Sequence, residues 1–155
     1  MNDKLQKYQI SEDQFIWFDA EGFEEVEAYQ DTFTDLIKIS KLEFSNVAWR
    51  SGHSTINDSY MNKSHYLATA TFRCQNTNYC IKISCEEWFD EHLILQLNHI
   101  IQPYTNGQFV ILKTGDQSLA ITFVNPIQYQ QLAKDQMIED EYETIYPDNW
   151  NELMF

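Results

Sequence analysis

The residues of this chain best suited to chemistry are an arginine and two histidines in a polar stretch near its middle. Arg50 and His53 belong to the tetrapeptide Arg-Ser-Gly-His, and His65 follows twelve residues later. An arginine close to a histidine can bind a phosphate group or take part in acid–base catalysis. One hypothesis is therefore a small enzyme that uses Arg50, His53 and His65 on a phosphoester. The competing interpretation is an ordinary solvated loop.

The remaining chemistry-bearing residues lack the spacing of known sites. Cys74, Cys80 and Cys85 are separated by six and five positions, unlike the paired cysteines of zinc sites. His92 and His99 are seven apart, which is two helical turns and too far to share one metal ion. The chain has no glycine-rich phosphate loop and no nucleophile elbow. We therefore predict no metal ion, no cofactor and no catalytic residue, with the loop hypothesis above as the alternative.

Charge is the most informative property of the sequence. The chain has 24 acidic and 10 basic residues, a formal net charge of -14. Residues 1–35 carry ten acids and two bases, and residues 135–155 carry seven acids and no lysine or arginine, whereas residues 36–85 carry two acids and six bases. Such an excess favours solubility and attraction to basic partners, and it opposes compaction. Direct binding of nucleic acid is disfavoured, because it requires clustered lysine and arginine.

Composition indicates a folded, cytoplasmic protein. The chain is 43% hydrophobic and 15% aromatic, more than a disordered acidic segment contains. Its 155 residues suit a single domain. The amino terminus lacks the apolar run of a signal peptide, no window has the ~18 apolar residues of a membrane span, and the cysteine count is odd. We expect reduced thiols and no membrane partner.

Hydrophobic periodicity predicts the first half of the fold. Residues 15–18 suit a short strand, and apolar side chains recur at helical spacing over residues 23–37. Residues 46–64 are rich in Ser, Asn and Thr and are predicted to form a long loop, with a short strand at most near 47–50. Residues 65–84 alternate as in a hairpin that turns at 75–78.

The second half repeats the same kinds of element. Ser84 and Glu87 form a sequence capping box, which predicts a helix that ends before Pro103. Residues 108–113 and 118–125 predict a second hairpin, and Asn125 followed by Pro126 predicts a last helix that includes Met137. The order (β)αββαββα predicts an α+β domain with an antiparallel sheet of four to five strands and about three helices. We expect the acidic segment 138–155 to pack on it.

An acidic, aromatic-rich domain without a catalytic motif suits an inhibitor of a basic protein. In size, acidity and layout the chain resembles bacterial toxin-immunity proteins, such as the antitoxins of contact-dependent growth inhibition. That resemblance implies a cytoplasmic protein that neutralises one cognate toxin, often a nuclease. From charge and exposure we expect the partner-binding residues in the first helix and the acidic tail: Glu24, Glu25, Glu27, Asp31, Asp140, Glu141 and Tyr142.

Three other function classes remain open at this point. A DNA-mimic inhibitor of phage type would use the same electrostatics against a host nucleic-acid enzyme. The small enzyme would use Arg50, His53 and His65. A non-enzymatic adaptor would need its charge only for solubility. The oligomeric state does not follow from the sequence.

Overall fold

The computed structural model describes residues 2–57 and 62–139. Over these residues the protein is an α+β fold, which confirms the predicted class. Its elements are α1 (Asn2–Gln6), a 3-10 turn (Glu12–Gln14), β1 (Phe15–Asp19), α2 (Val26–Ser40), β2 (Phe44–Asn57), β3 (Asn62–Cys74), β4 (Thr77–Cys85), α3 (His92–Ile101), β5 (Gln108–Leu112), β6 (Ser118–Val124) and α4 (Pro126–Lys134).

The strands form two antiparallel sheets of three strands, in the orders β1-β6-β5 and β2-β3-β4. Each sheet is therefore smaller than the sheet of four to five strands predicted from the sequence. The division arises because α3 lies between the edge strands β4 and β5, which would otherwise be free to pair. Two side-chain amides on α3 bond to one residue of each edge, and residues 137–139 bond to β5 at Ile111 and to Lys113 just after it.

Gln96 and Asn98 make those contacts on opposite sides of α3. Gln96 Nε2 donates to the Lys82 carbonyl at 2.7 Å, and the Lys82 N–H donates to Gln96 Oε1 at 2.9 Å. Asn98 makes the same pair of bonds with Phe109 of β5, both at 2.8 Å. The helix thus replaces a neighbouring strand for each sheet and satisfies backbone groups that would be costly to bury unpaired.

Replacement of Asn98 by alanine is expected to lower the free energy of unfolding by about 1–3 kcal/mol. The variant leaves the Phe109 N–H and carbonyl without their side-chain partner, and an unsatisfied buried polar group has about that cost. Denaturant unfolding measures the change, with Asn106→Ala in the exposed loop after α3 as the matched control. Equal stabilities of the two variants would contradict the bridging role of Asn98.

Two hydrophobic clusters hold the layers together. The larger one joins both sheets to α2 and α3, with Phe33, Leu97, Ile83 and Ile111 among its buried members. The smaller one lies on the other face of the β5–β6 pair, where α1 and α4 pack through Leu5 and Leu132, among others. The β1-β6-β5 sheet is therefore covered on both faces.

The β3–β4 hairpin confirms the alternation in the sequence. Ala68, Ala70, Phe72 and Cys74 face the larger cluster and are buried. The turn itself is shorter than predicted, because only Gln75 and Asn76 separate the strands, and both have positive φ (52° and 68°). This is the backbone conformation that two-residue hairpins require.

The prediction of a long loop at 46–64 is wrong for residues 46–57 and 62–64, which lie in strands, and residues 58–61 lie outside the described residues. Residues 44–57 form β2, which is paired with β3 along its length apart from a register shift between Ser45 and Ala48. Asn46 has a positive φ of 54° at this irregularity, as expected of a β-bulge. The sequence does not indicate this strand, because its polar residues do not alternate with apolar ones. The strand is held in place by its pairing with β3.

The predicted capping box is also wrong. Ser84 lies in β4, and its N–H donates to Asp90 Oδ2 at 2.9 Å, while α3 begins only at His92. Asp90 Oδ1 accepts the His92 N–H at 3.1 Å, so this buried carboxylate marks the true helix start. The connection 86–91 is thus an ordered link and no part of the helix.

The last helix begins as predicted and ends early. Asn125 Oδ1 accepts the Gln128 N–H at 2.8 Å, and Gln128 Oε1 accepts the Asn125 N–H at 3.1 Å. The two bonds form a capping box, with Pro126 in the first turn of the helix. The helix ends at Lys134, so Met137 lies beyond it, contrary to prediction. The short helix α1 was not predicted.

Candidate functional site

The candidate site forms where two connections of the chain run side by side. The link from β1 to α2 bonds to the link from β4 to α3: Gly22 and Phe23 donate their N–H groups to the Glu87 carbonyl at 2.8 and 3.2 Å. The Phe89 N–H donates to the Ala20 carbonyl at 2.8 Å. Gly22 has a φ of 98°, which favours glycine at this position. The contacts fix acidic side chains of both links beside one another.

Glu21 and Glu87 are the closest of these acids. In its protonated form the Glu21 carboxyl donates a hydrogen bond to Glu87, and this contact raises the pKa of Glu21, as do its desolvation and the repulsion from Glu87 and Asp19. Asp19 is held at the end of β1 by Gln117, whose Nε2 donates to both carboxylate oxygens at 3.0 and 3.1 Å. Like charges are therefore crowded together on this surface.

A cleft of about 410 Å³ continues this surface. Trp88 stands at its edge with half of its side chain exposed, and the acids Glu91, Asp116 and Glu139 line it. No lysine or arginine is found among the described residues that line the cleft. We call the six carboxylates around it the acidic surface: Asp19, Glu21, Glu87, Glu91, Asp116 and Glu139.

Glu91 is the acid most affected by its surroundings. Burial raises its pKa, and repulsion from Glu139 and Asp90 raises it further, while His92 acts in the opposite direction. A carboxylate at the start of a helix is normally favoured by the helix dipole. At Glu91 burial and like charge outweigh that benefit, so the ionised form is disfavoured in the folded protein.

Glu91→Gln is therefore expected to stabilise the protein at neutral pH. A raised pKa in the folded state means that wild-type stability is fully present below the unfolded pKa of about 4.3 and falls as pH rises through the folded value. The variant lacks this loss, so its melting temperature exceeds that of the wild type at pH 7 and matches it near pH 3.5. Calorimetry at both pH values tests this, and a difference that is the same at both would contradict it.

Of the four acids predicted in the first helix, Glu27 and Asp31 lie on α2, whereas Glu24 and Glu25 precede it. Glu24, Glu25, Glu27 and Asp31 are all exposed. Cys85 is the last residue of β4, and burial raises the pKa of its thiol to about 12. The negative charge of Glu27 makes a smaller contribution in the same direction. Glu27 is thus close to the end of β4, where the link to α3 begins. The other predicted residues, Asp140, Glu141 and Tyr142, lie outside the described residues.

Tyr29 fixes α2 to the β4–α3 link. Its hydroxyl accepts the Asp90 N–H at 2.7 Å and donates to the Ser84 carbonyl at 3.3 Å. The side chain is fully buried, and burial raises its pKa. This contact sets the helix acids and the link acids in one fixed arrangement.

Arg50, His53 and His65 lie on paired strands and not in a loop. Arg50 is exposed on β2 and is in register with Thr69 of β3. The backbone of His53 is in register with Tyr66, and that of His65 with Ser54. The proposed use of these three residues in catalysis stays a prediction.

The cysteines are free thiols at three separate positions. Cys74 and Cys85 are buried and Cys80 is exposed. Burial raises the pKa of each thiol, so none has the lowered pKa of a reactive cysteine. In residues 2–57 and 62–139 no group of three or more His, Cys, Asp or Glu side chains is placed to hold a metal ion.

Sequence reasoning missed most of the acidic surface. The sequence indicates a capping role for Glu87 and places Glu139 in the acidic segment 138–155, while Glu21 and Asp116 belong to no pattern. The available signal was Trp88 within an acidic run between a strand and a helix, since a tryptophan among four acids has little reason to be buried. The meeting of the two links was not visible in the sequence.

Comparison with known proteins gives no family for this fold and site: no protein-family model, no curated protein and no solved structure matches the chain. Within the described part of the chain, every helix is too short or too polar to cross a membrane.

Proposed function

We propose that this protein is an immunity-type inhibitor that binds and neutralises a basic toxin, of nuclease type, in the cytoplasm. The observation that carries the proposal is the acidic surface together with the half-exposed Trp88, which lines the same cleft. Six carboxylates from four parts of the fold converge there. The pKa of Glu21 is raised by its contact with Glu87, and the pKa of Glu91 is raised by burial and by the charges of Glu139 and Asp90. A cationic partner would relieve that repulsion, which is the physical basis of recognition.

Carboxylates spaced on a rigid surface can occupy the place of nucleic-acid phosphates. A nuclease binds its substrate through lysine and arginine, so an acidic surface of this kind competes for the same groups. The charge also speeds encounter, because complementary potentials steer association. The protein would thus inhibit by occupation, without chemistry and without a cofactor.

Trp88 would supply the affinity that charge alone does not give. Exposed surface charges contribute little individually, whereas a tryptophan at the centre of an interface is often a dominant contact. Arginine also stacks on tryptophan faces. A basic partner can therefore place an arginine over the Trp88 indole with its guanidinium toward Glu91.

Capture of the partner from native cells tests the proposal. The tagged full-length protein serves as bait, and the captured protein is then assayed for nuclease activity with increasing amounts of the inhibitor. We expect to capture a basic protein whose nuclease activity is lost when one equivalent of the inhibitor is added. A partner that is not basic, or whose activity is unaffected at full occupancy, would contradict the proposal. A host nucleic-acid enzyme as partner would favour the DNA-mimic alternative.

A further inference from the structure

A second surface of opposite charge lies on the outer face of the β2-β3-β4 sheet. The inner face packs on the larger core cluster, so the alternate residues of β3 point outward: Leu67, Thr69, Thr71 and Arg73. Register places Arg50 and Lys82 on either side of Thr69. Among the residues whose side chains the structure describes, the cations of this face are Arg50, Lys82 and Arg73.

Burial along this face is uneven. Leu67 is 1% exposed and Thr69 9% exposed, whereas Thr71 and Arg73 are exposed. Leu67 belongs to neither of the two core clusters. Its neighbours across the strands are Gly52 and Ser84, which are too small to bury a leucine. Among the residues whose side chains the structure describes, these cross-strand neighbours do not account for the burial of Leu67.

The end of the described chain lies close to this place. The Glu139 N–H donates to the Ile111 carbonyl at 2.8 Å, and the negative charge of Glu139 contributes to the raised pKa of Glu91. Next to Glu91, Asp90 accepts the N–H of Ser84, which is in register with Leu67. Residues 140–155 therefore start near the buried end of the face.

The composition of that segment complements the face. Its sixteen residues contain five acids, no lysine, arginine or histidine, and seven large apolar side chains: Tyr142, Ile145, Tyr146, Trp150, Leu153, Met154 and Phe155. An extended segment of this length reaches up to about 50 Å. Residues 58–61 are a poor alternative, because they connect the paired residues Asn57 and Asn62, which lie about 17 Å along the strand from Leu67.

We propose that the C-terminal segment 140–155 docks on the outer face of the β2-β3-β4 sheet, with apolar side chains over Leu67 and carboxylates beside Lys82 and Arg50. Docking removes the apolar groups of both partners from water and places acids against cations. The segment then neutralises the basic face, so that the protein presents a largely acidic exterior to its surroundings. This inference is independent of the proposed inhibition of a toxin.

Zero-length crosslinking of the full-length protein gives the first test. A carbodiimide joins a carboxylate to a lysine amine only when the two groups touch, and mass spectrometry identifies the pair. We expect crosslinks within one molecule between Lys82 and acids of 140–155, which the variant Lys82→Gln loses. Crosslinks of the segment to Lys38, Lys41 or Lys113 without Lys82, or crosslinks from Lys82 to a second molecule, would overturn the proposal.

Hydroxyl-radical labelling of Leu67 gives a decisive second test that does not depend on lysine chemistry. It compares the wild type with a full-length variant in which the five acids of the segment are replaced by their amides. We expect Leu67 to lose its protection in the variant, while Leu93 in the core stays protected and shows that the fold is intact. Unchanged protection of Leu67 would overturn the proposal whatever the crosslinks show.

Discussion

Replacement of Glu21, Glu87 and Glu91 by glutamine is expected to slow association with the basic partner about tenfold or more at low salt. Electrostatic steering raises association rates by orders of magnitude, and charge changes at an interface act mainly on that rate. The three residues lie in the two links that meet at the acidic surface, so the change removes three charges from one place. Stopped-flow or surface-bound kinetics measures the rate.

The control for this experiment has the same net charge. Asp3→Asn, Asp35→Asn and Glu43→Gln remove three exposed charges on α1, the second half of α2 and the link before β2. If location matters, this variant associates nearly as fast as the wild type. Equal slowing by both variants would show that the total charge alone speeds association. It would contradict a specific role of the acidic surface in binding.

Replacement of Trp88 by alanine is expected to weaken binding by about 30-fold or more, which corresponds to about 2 kcal/mol, the usual threshold of an interface hot spot. The expected cause is a faster dissociation, because the indole supplies buried contact area and no charge. Titration calorimetry measures the affinity of the purified pair.

Trp17 offers a matched control for Trp88. The two side chains are exposed to the same degree, 50% and 49%, but Trp17 lies on β1 and does not line the cleft. We expect Trp17→Ala to change affinity little. A larger loss with Trp17→Ala than with Trp88→Ala would place the interface on β1 instead of the acidic surface.

Local sequence signals were sufficient where one short segment determines its own structure. Asn125 and Pro126 specified a helix start because the cap is formed within four residues. The β3–β4 hairpin followed from alternation and from Asn76, which accepts positive φ. These elements, together with the second hairpin, gave the α+β class.

The rest depended on contacts between distant segments. The separation into two sheets rests on Gln96 and Asn98, whose amides look like ordinary polar residues of a helix until their strand partners are known. The β2 strand depends on pairing with β3 and carries no alternation of its own. In the same way, the acidic surface exists because Glu21 and Glu87, 66 positions apart, are brought into contact. The distribution of charge along the sequence led to the prediction that the partner binds the acids at the start of α2.

The central claim is that the acidic surface recognises a basic partner through its charge, and the salt dependence of the association rate tests it most directly. The captured partner and the wild-type protein are mixed at ionic strengths from about 0.01 to 0.5 M, over which screening shortens from about 30 to 4 Å. We predict that the rate falls steeply with salt for the wild type and much less for the Glu21, Glu87 and Glu91 variant. A rate independent of salt for the wild type would contradict the claim.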